Sequence, residues 1–160
     1  MKKEAQKNQF LQKLKEQLNA EEQLANALPN MLKAAEAHEL HEAFKSHLAE
    51  TKEHVKRLRM IFAMLGVDGE GASCDKMVKL IHECDKIMSE HQKSEHRDEG
   101  LITKACAIER YEITTYESLQ ILAGELGLAA VQNLLQENLD EEMSAEKALN
   151  KIAENTLLTA

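Results

Sequence analysis

A chain of 160 residues with a formal net charge of −8 is long enough for one domain with a substantial core, and too acidic to present a nucleic-acid surface. One proline, six glycines, two Tyr, three Phe and no Trp, set among many Ala, Leu, Glu, Lys and Gln, are the composition of a helical bundle. No stretch approaches the roughly 20 apolar residues of a membrane span, and no apolar run follows the basic residues of MKKEAQKNQF, so no signal peptide is read there. Cys74, Cys84 and Cys106 are odd in number and form no C-x-x-C. They point to reduced thiols and a cytoplasmic protein.

The first helix is predicted over about 7–37, where Leu11, Leu14, Leu18, Glu21, Ala25, Leu28, Leu32 and Ala35 follow alternating steps of three and four. Pro29 falls inside this pattern, and the period survives on both sides, which predicts one bent helix. A second helix follows over about 39–65, with Leu40, Phe44, His47, Thr51, His54, Leu58, Ile61 and Leu65 on its seam. That seam is polar for about two turns and then apolar again. GVDGEGAS at 66–73 is a loop with a stop at Gly66.

A shorter helix over about 74–91 is expected to pack outside the bundle, with Met60, Met64, Met77 and Met88 as packing beneath it. KSEHRDEG at 93–100 reads as a polar link with Ser94 or Asp98 as N-cap. The third long helix covers about 102–123. Its seam of Ile102, Ala105, Glu109, Glu112, Tyr116, Leu119 and Ala123 should be apolar, yet carries two carboxylates in its middle. GELG at 124–127 supplies a stop, and a fourth long helix over about 129–154 places Val131, Leu135, Asn138, Glu142, Ala145, Leu149 and Ile152 on its seam. Residues 155–160 are expected to fray.

Short turns join the first long helix to the second and the third to the fourth, making two antiparallel hairpins. The long link between them permits a crossover, so the prediction is an all-α, ferritin-like antiparallel four-helix bundle, a single domain over 1–160, with a short extra helix in the crossover.

Each long helix brings acids to the core side near its middle: Glu21, Glu50 with His54, Glu109 with Glu112, and Glu142 with Glu146. Counted from the turns at 1.5 Å per residue, the four sets fall within about two turns of one level. A buried carboxylate needs a cation or a proton. A pair of divalent metals, iron or manganese, answers that need: carboxylates bridge and neutralise the ions, and an imidazole caps one. Any single Glu here is more readily read as a side chain snorkelling to water or pairing with Lys. The common level of four sets is what favours a metal. His47 is assigned a supporting place, with Tyr116 and Asn138 either orienting ligands or bonding one another.

The stretches AEEQLANALPNMLKAA, HLAETKEHVKRLRMIFAMLG, AIERYEITTYESL and LDEEMSAEKALNKIAE, in this order, resemble the YciE/YciF-type family of bacterial ferritin-like stress proteins. The likeness runs from about residue 10 to 154. It implies a homodimer with a rubrerythrin-like dimetal site, to which Glu21, Glu50, His54, Glu109, Glu112 and Glu142 carry over as ligands, and Glu146 less directly. The fourth long helix lacks the histidine found in rubrerythrin. Two other functions stay open: a metal binder without catalysis, and a helical interaction protein whose core acids form ion pairs.

Overall fold

A computed structural model describes residues 2–159, with side chains as far as residue 155. Among the described residues the chain forms α1 (Lys2–Ala34), α2 (His38–Leu65), α3 (Asp75–Glu90), α4 (Glu95–Glu125) and α5 (Ala129–Thr159). The helix α1 is continuous through Pro29. Gly66 ends α2 at φ 65°, and Gly127 turns the chain between α4 and α5 at φ 70°, both in the left-handed region that glycine enters without a side-chain clash. The backbone of α5 is helical to Thr159, so the expected fraying does not begin at residue 155. Ala160 lies outside the described residues.

α1 packs against α2, and α4 against α5; α1 also meets α4, and α2 meets α5, which closes the ferritin-like four-helix bundle. The crossover helix α3 lies on α1 and α4. Its Met77 is buried and Met88 partly so, as predicted. Met60 and Met64 depart from the prediction: both stand about half exposed on α2, because α3 covers the opposite side of the bundle.

The predicted polar link is largely helical, since α4 begins at Glu95 with Ser94 as the N-cap, its Oγ accepting from the N–H of Arg97 at 3.1 Å. The remaining polar residues of the segment work across the fold. Arg97 donates to the carbonyls of Ala34, Met88 and His91, the open ends of α1 and α3. Asp98 accepts from the N–H groups of Glu36 and Ala37 at 2.8 Å each, at the start of α2, whose own N-cap is an alanine. A run that resembles a solvated linker is a clamp on three helix ends.

Inside the bundle two apolar clusters lie end to end. One holds Leu24, Leu28, Phe44, Leu101 and Leu149 beneath α3; the other holds Phe10, Leu14, Leu58, Tyr116 and Leu135 near the α4–α5 turn. Burial of each such Leu or Phe contributes about 1.5–3 kcal/mol. Between the clusters the core changes character: Gln17, Glu21, His47, Thr51, His54, Glu109, Glu112, Asn138 and Glu142 are all buried.

Candidate metal centre

The helix period explains how one layer collects these groups. Each seam is apolar above and below, so burying the seam carries its polar middle inward. Glu21 comes from α1, His47 and His54 from α2, Glu109 and Glu112 from α4, and Glu142 from α5.

His54 sits at one side of the layer. Its Nδ1 lies 2.7 Å from Glu21 Oε2 and 2.8 Å from Glu142 Oε1, while Nε2 faces outward, 3.2 Å from Glu141 Oε1. Arg57 ties Glu141 down with a close guanidinium contact and donates to Asn138 Oδ1 at 2.9 Å. A carboxylate behind the outer nitrogen of a histidine fixes the ring and its tautomer. Asn138 in turn donates to the Tyr116 hydroxyl at 3.2 Å and to the His54 carbonyl at 3.4 Å, so it both bonds Tyr116 and steadies His54.

His47 sits at the other side. Its Nδ1 lies 3.0 Å from Glu109 Oε1, and its Nε2 stands 3.9 Å from Glu142 Oε2 with no hydrogen-bond partner. Glu142 therefore reaches both histidines. Two overlapping donor groups result, Glu21–His54–Glu142 and His47–Glu109–Glu142, and within each the ligand atoms lie within 4.8 Å of one another. Either group could hold a metal ion.

The electrostatics belong to a cluster short of cations. Burial, partly offset by His54, lifts the Glu21 carboxyl to about 7. Burial, with the charge and hydrogen bond of Glu142, holds Glu109 well above the usual carboxylate range. Burial opposes ionisation of Glu142 too, but hydrogen bonds from Glu109 and His54 and the charges of both histidines outweigh it and bring Glu142 down to about 2. For His54 the burial that disfavours its charge is overcome by Glu21 and Glu142, and its pKa rises to about 10. Burial lowers His47, which has less carboxylate around it to compensate.

The donor set fits a pair of divalent ions. Several buried atoms of this layer lack a well-directed hydrogen bond, among them His47 Nε2, Glu109 Oε2 and Glu112 Oε1. Orphaned acceptors at such density are costly in a protein core unless a cation takes them up. Imidazole and carboxylate together suit iron and manganese.

Of the residues read from the sequence, the fold brings together Glu21, His54, Glu109 and Glu142. Glu112 is buried beside them, and Gln17 Nε2 reaches both its Oε2 at 3.1 Å and Glu21 Oε1 at 3.4 Å. Glu50 is half-buried at the edge, raised by burial first and by Glu141 second. Glu146 is not brought in: its carboxylate lies 3.2 Å from Arg110 on the outside of α4 and α5. His47 stands inside the layer and not behind it. Gln17 and Glu141 escaped the sequence reading. The signals were there: Gln17 is one turn before Glu21, and Glu137-x-x-x-Glu141 offers two acids to the arginine one turn past His54.

Fold and layer define a ferritin-like helical bundle whose buried His and Glu groups could hold a metal. Residues 5–160 match the family described as Domain of unknown function (DUF892), and the chain belongs to that family. It is 32% identical over 149 residues to Protein YciF of Escherichia coli strain K12, covering 92% of this chain and 90% of that protein. The crystal structure of the E. coli stress protein YciF superposes with a TM-score of 0.93 at 31% identity, over 97% of this chain and 98% of that one. YcfI from Rhodopseudomonas palustris is similar too, with a TM-score of 0.87 at 34% identity over 91% and 92%. The resemblance read from the sequence is the family found. Among the described residues no helix is long and apolar enough to cross a membrane.

Proposed function

We propose that this chain is a dimetal-carboxylate protein of bacterial stress defence, working in the cytoplasm as a homodimer with iron or manganese as its metal. The observation that carries the proposal is the pair of three-ligand groups sharing Glu142 in a buried layer rich in orphaned donor atoms. Glu21, His54 and Glu142 would hold one ion, His47, Glu109 and Glu142 the other. Glu112 stands in reserve beside Glu21, and Glu50 at the edge. Bound there, the ions supply one-electron redox chemistry, suited to oxidising ferrous ion with oxygen or peroxide, or to reducing peroxide.

The protein's own contribution is to orient, to neutralise and to exchange protons. Glu141 and Arg57 hold the His54 ring. Protons on Glu109, and near neutral pH on Glu21, keep the metal-free layer from carrying its full negative charge. Those protons must leave when a cation arrives. The stress role rests on the relationship to YciF, which is described as a stress protein.

The test is anaerobic titration of chelator-treated protein with ferrous and manganous ion, read by calorimetry, by pH-stat proton release and by elemental analysis. The expected result is two ions per chain with release of protons, and loss of both ions in Glu142→Gln. One observation favours a second reading: His54 already bridges Glu21 and Glu142 as an ion pair. A protein that takes up neither metal, and whose melting is indifferent to both, has a structural ion pair there and functions as a helical interaction protein.

A further inference from the structure

Of the seven histidines, His91 and His96 stand together on the surface, where α3 ends and α4 begins. Both are exposed, and their ring centres lie 5.6 Å apart with the ring planes at 82°. Burial does not push them together; the backbone does. The N–H of His91 donates to the Ile87 carbonyl at 3.2 Å, closing α3, and the His91 carbonyl accepts from the Arg97 guanidinium at 3.2 Å. Ser94 Oγ donates to the Gln92 carbonyl at 3.0 Å and accepts from the N–H of Arg97, the residue after His96. The connection between the two histidines is therefore a tight turn with both of its ends fixed.

Neither ring hydrogen-bonds or ion-pairs with another described residue, in contrast to the rings of His41, His47 and His54. Their nitrogens are available to a ligand. Two imidazoles that share one tetrahedral ion through bonds of about 2.0–2.1 Å have ring centres roughly 5 Å apart. A small rotation of two exposed side chains converts the observed spacing into that chelate. The choice of ion follows from the donors. Imidazoles without a carboxylate suit the later divalent metals better than manganese, with Cu(II) first in affinity and Ni(II) and Zn(II) behind it.

We propose that His91 and His96 form a surface metal site that takes one imidazole-preferring divalent ion, copper before nickel or zinc. The site shares no residue with the buried layer and stands whether or not that layer holds iron or manganese. An ion bound there joins the end of α3 to the start of α4 and leaves the rest of its coordination to water.

The experiment titrates the full chain, freed of metal beforehand, with Cu(II), read by calorimetry and by electron paramagnetic resonance. The expected result is one copper with the spectroscopic signature of two nitrogen ligands. His91→Ala and His96→Ala should each weaken it at least about tenfold, because a lone imidazole loses the second, intramolecular bond. His82→Ala removes an exposed histidine earlier on α3, and Glu142→Gln disables the buried layer; both should keep the copper signal at the parent value. The proposal is overturned if the parent shows no two-nitrogen copper, or if that copper survives in both His91→Ala and His96→Ala. Loss of the signal in Glu142→Gln also overturns it, for then the copper sits in the layer. Equal loss in His82→Ala does the same and marks the copper as adventitious.

Discussion

The two histidines of the buried layer stand about two turns apart on one helix and live in different surroundings. His54 is closed in: two carboxylates at Nδ1, a third at Nε2, an arginine behind that, and a pKa pushed up to about 10 against the opposition of burial. His47 has a single close carboxylate, a lowered pKa, an outer nitrogen without partner and a cavity at its flank. The same residue type on the same seam is thus an ion-pair hub in one place and an open ligand in the other. Identity of the donor sets what it can bind. The groups behind it, and the space in front of it, set whether it is already occupied in the metal-free protein.

The largest effect should come from the residue both sides share. Glu142→Gln should lower affinity for both ions by at least about a hundredfold, read by calorimetry and metal content. Retention of one full equivalent would show that only one side uses Glu142.

The next effect separates the sides. His54→Ala leaves Glu21 and Glu142 buried without their cation, so the metal-free protein should lose about 3–5 kcal/mol in chemical denaturation. His47→Ala removes a neutral ring from beside Glu109 and should cost about 1–2 kcal/mol, while abolishing one metal equivalent. Equal losses in the two variants would erase the contrast.

A pH series on the metal-free protein tests the charge assignments. Glu21 has a folded value near 7, above its ordinary 4.5, so its contribution is complete below about 4.5 and is lost as pH rises through 7. His54, also raised, contributes fully below its ordinary 6.5 and loses that contribution as pH rises through about 10. Glu142 is lowered and acts in the opposite sense: its contribution is present above 4.5 and lost as pH falls through about 2. Melting temperature should therefore peak near pH 4.5, fall on the alkaline side as Glu21 and then His54 lose their contributions, and fall on the acid side as Glu142 loses its own. Saturating metal should move the maximum to higher pH, because it binds the ionised carboxylates. A metal-free protein that gains stability steadily from pH 5 to 9 would contradict the assignment of Glu21.

The smallest effects lie outside the layer. Glu141→Gln should weaken the His54-side ion by about tenfold and leave the other alone. Glu146→Gln, paired with Arg110 at the surface, should change stability by less than about 0.5 kcal/mol and metal affinity not at all.

What the sequence determined by itself is the bundle, its seams and the level of the acids. Alternating steps of three and four place a residue on a face, and the turn positions place it along the axis. That is enough to bring Glu21, His54, Glu109 and Glu142 to one height, because buried seams leave their middles nowhere else to go. The segment at 93–100 shows the limit of such reading: Arg97 and Asp98 look like linker residues until the ends of α1, α2 and α3 are set beside them. Only the tertiary structure decided that His47 enters the layer, that Glu141 stands behind His54, that Gln17 joins Glu21 to Glu112, and that Glu146 turns away to Arg110. Periodicity fixes the angle of a side chain about its own helix. It carries no information on the rotation and spacing of that helix against its neighbours, and a few ångströms there separate a ligand from a surface ion pair.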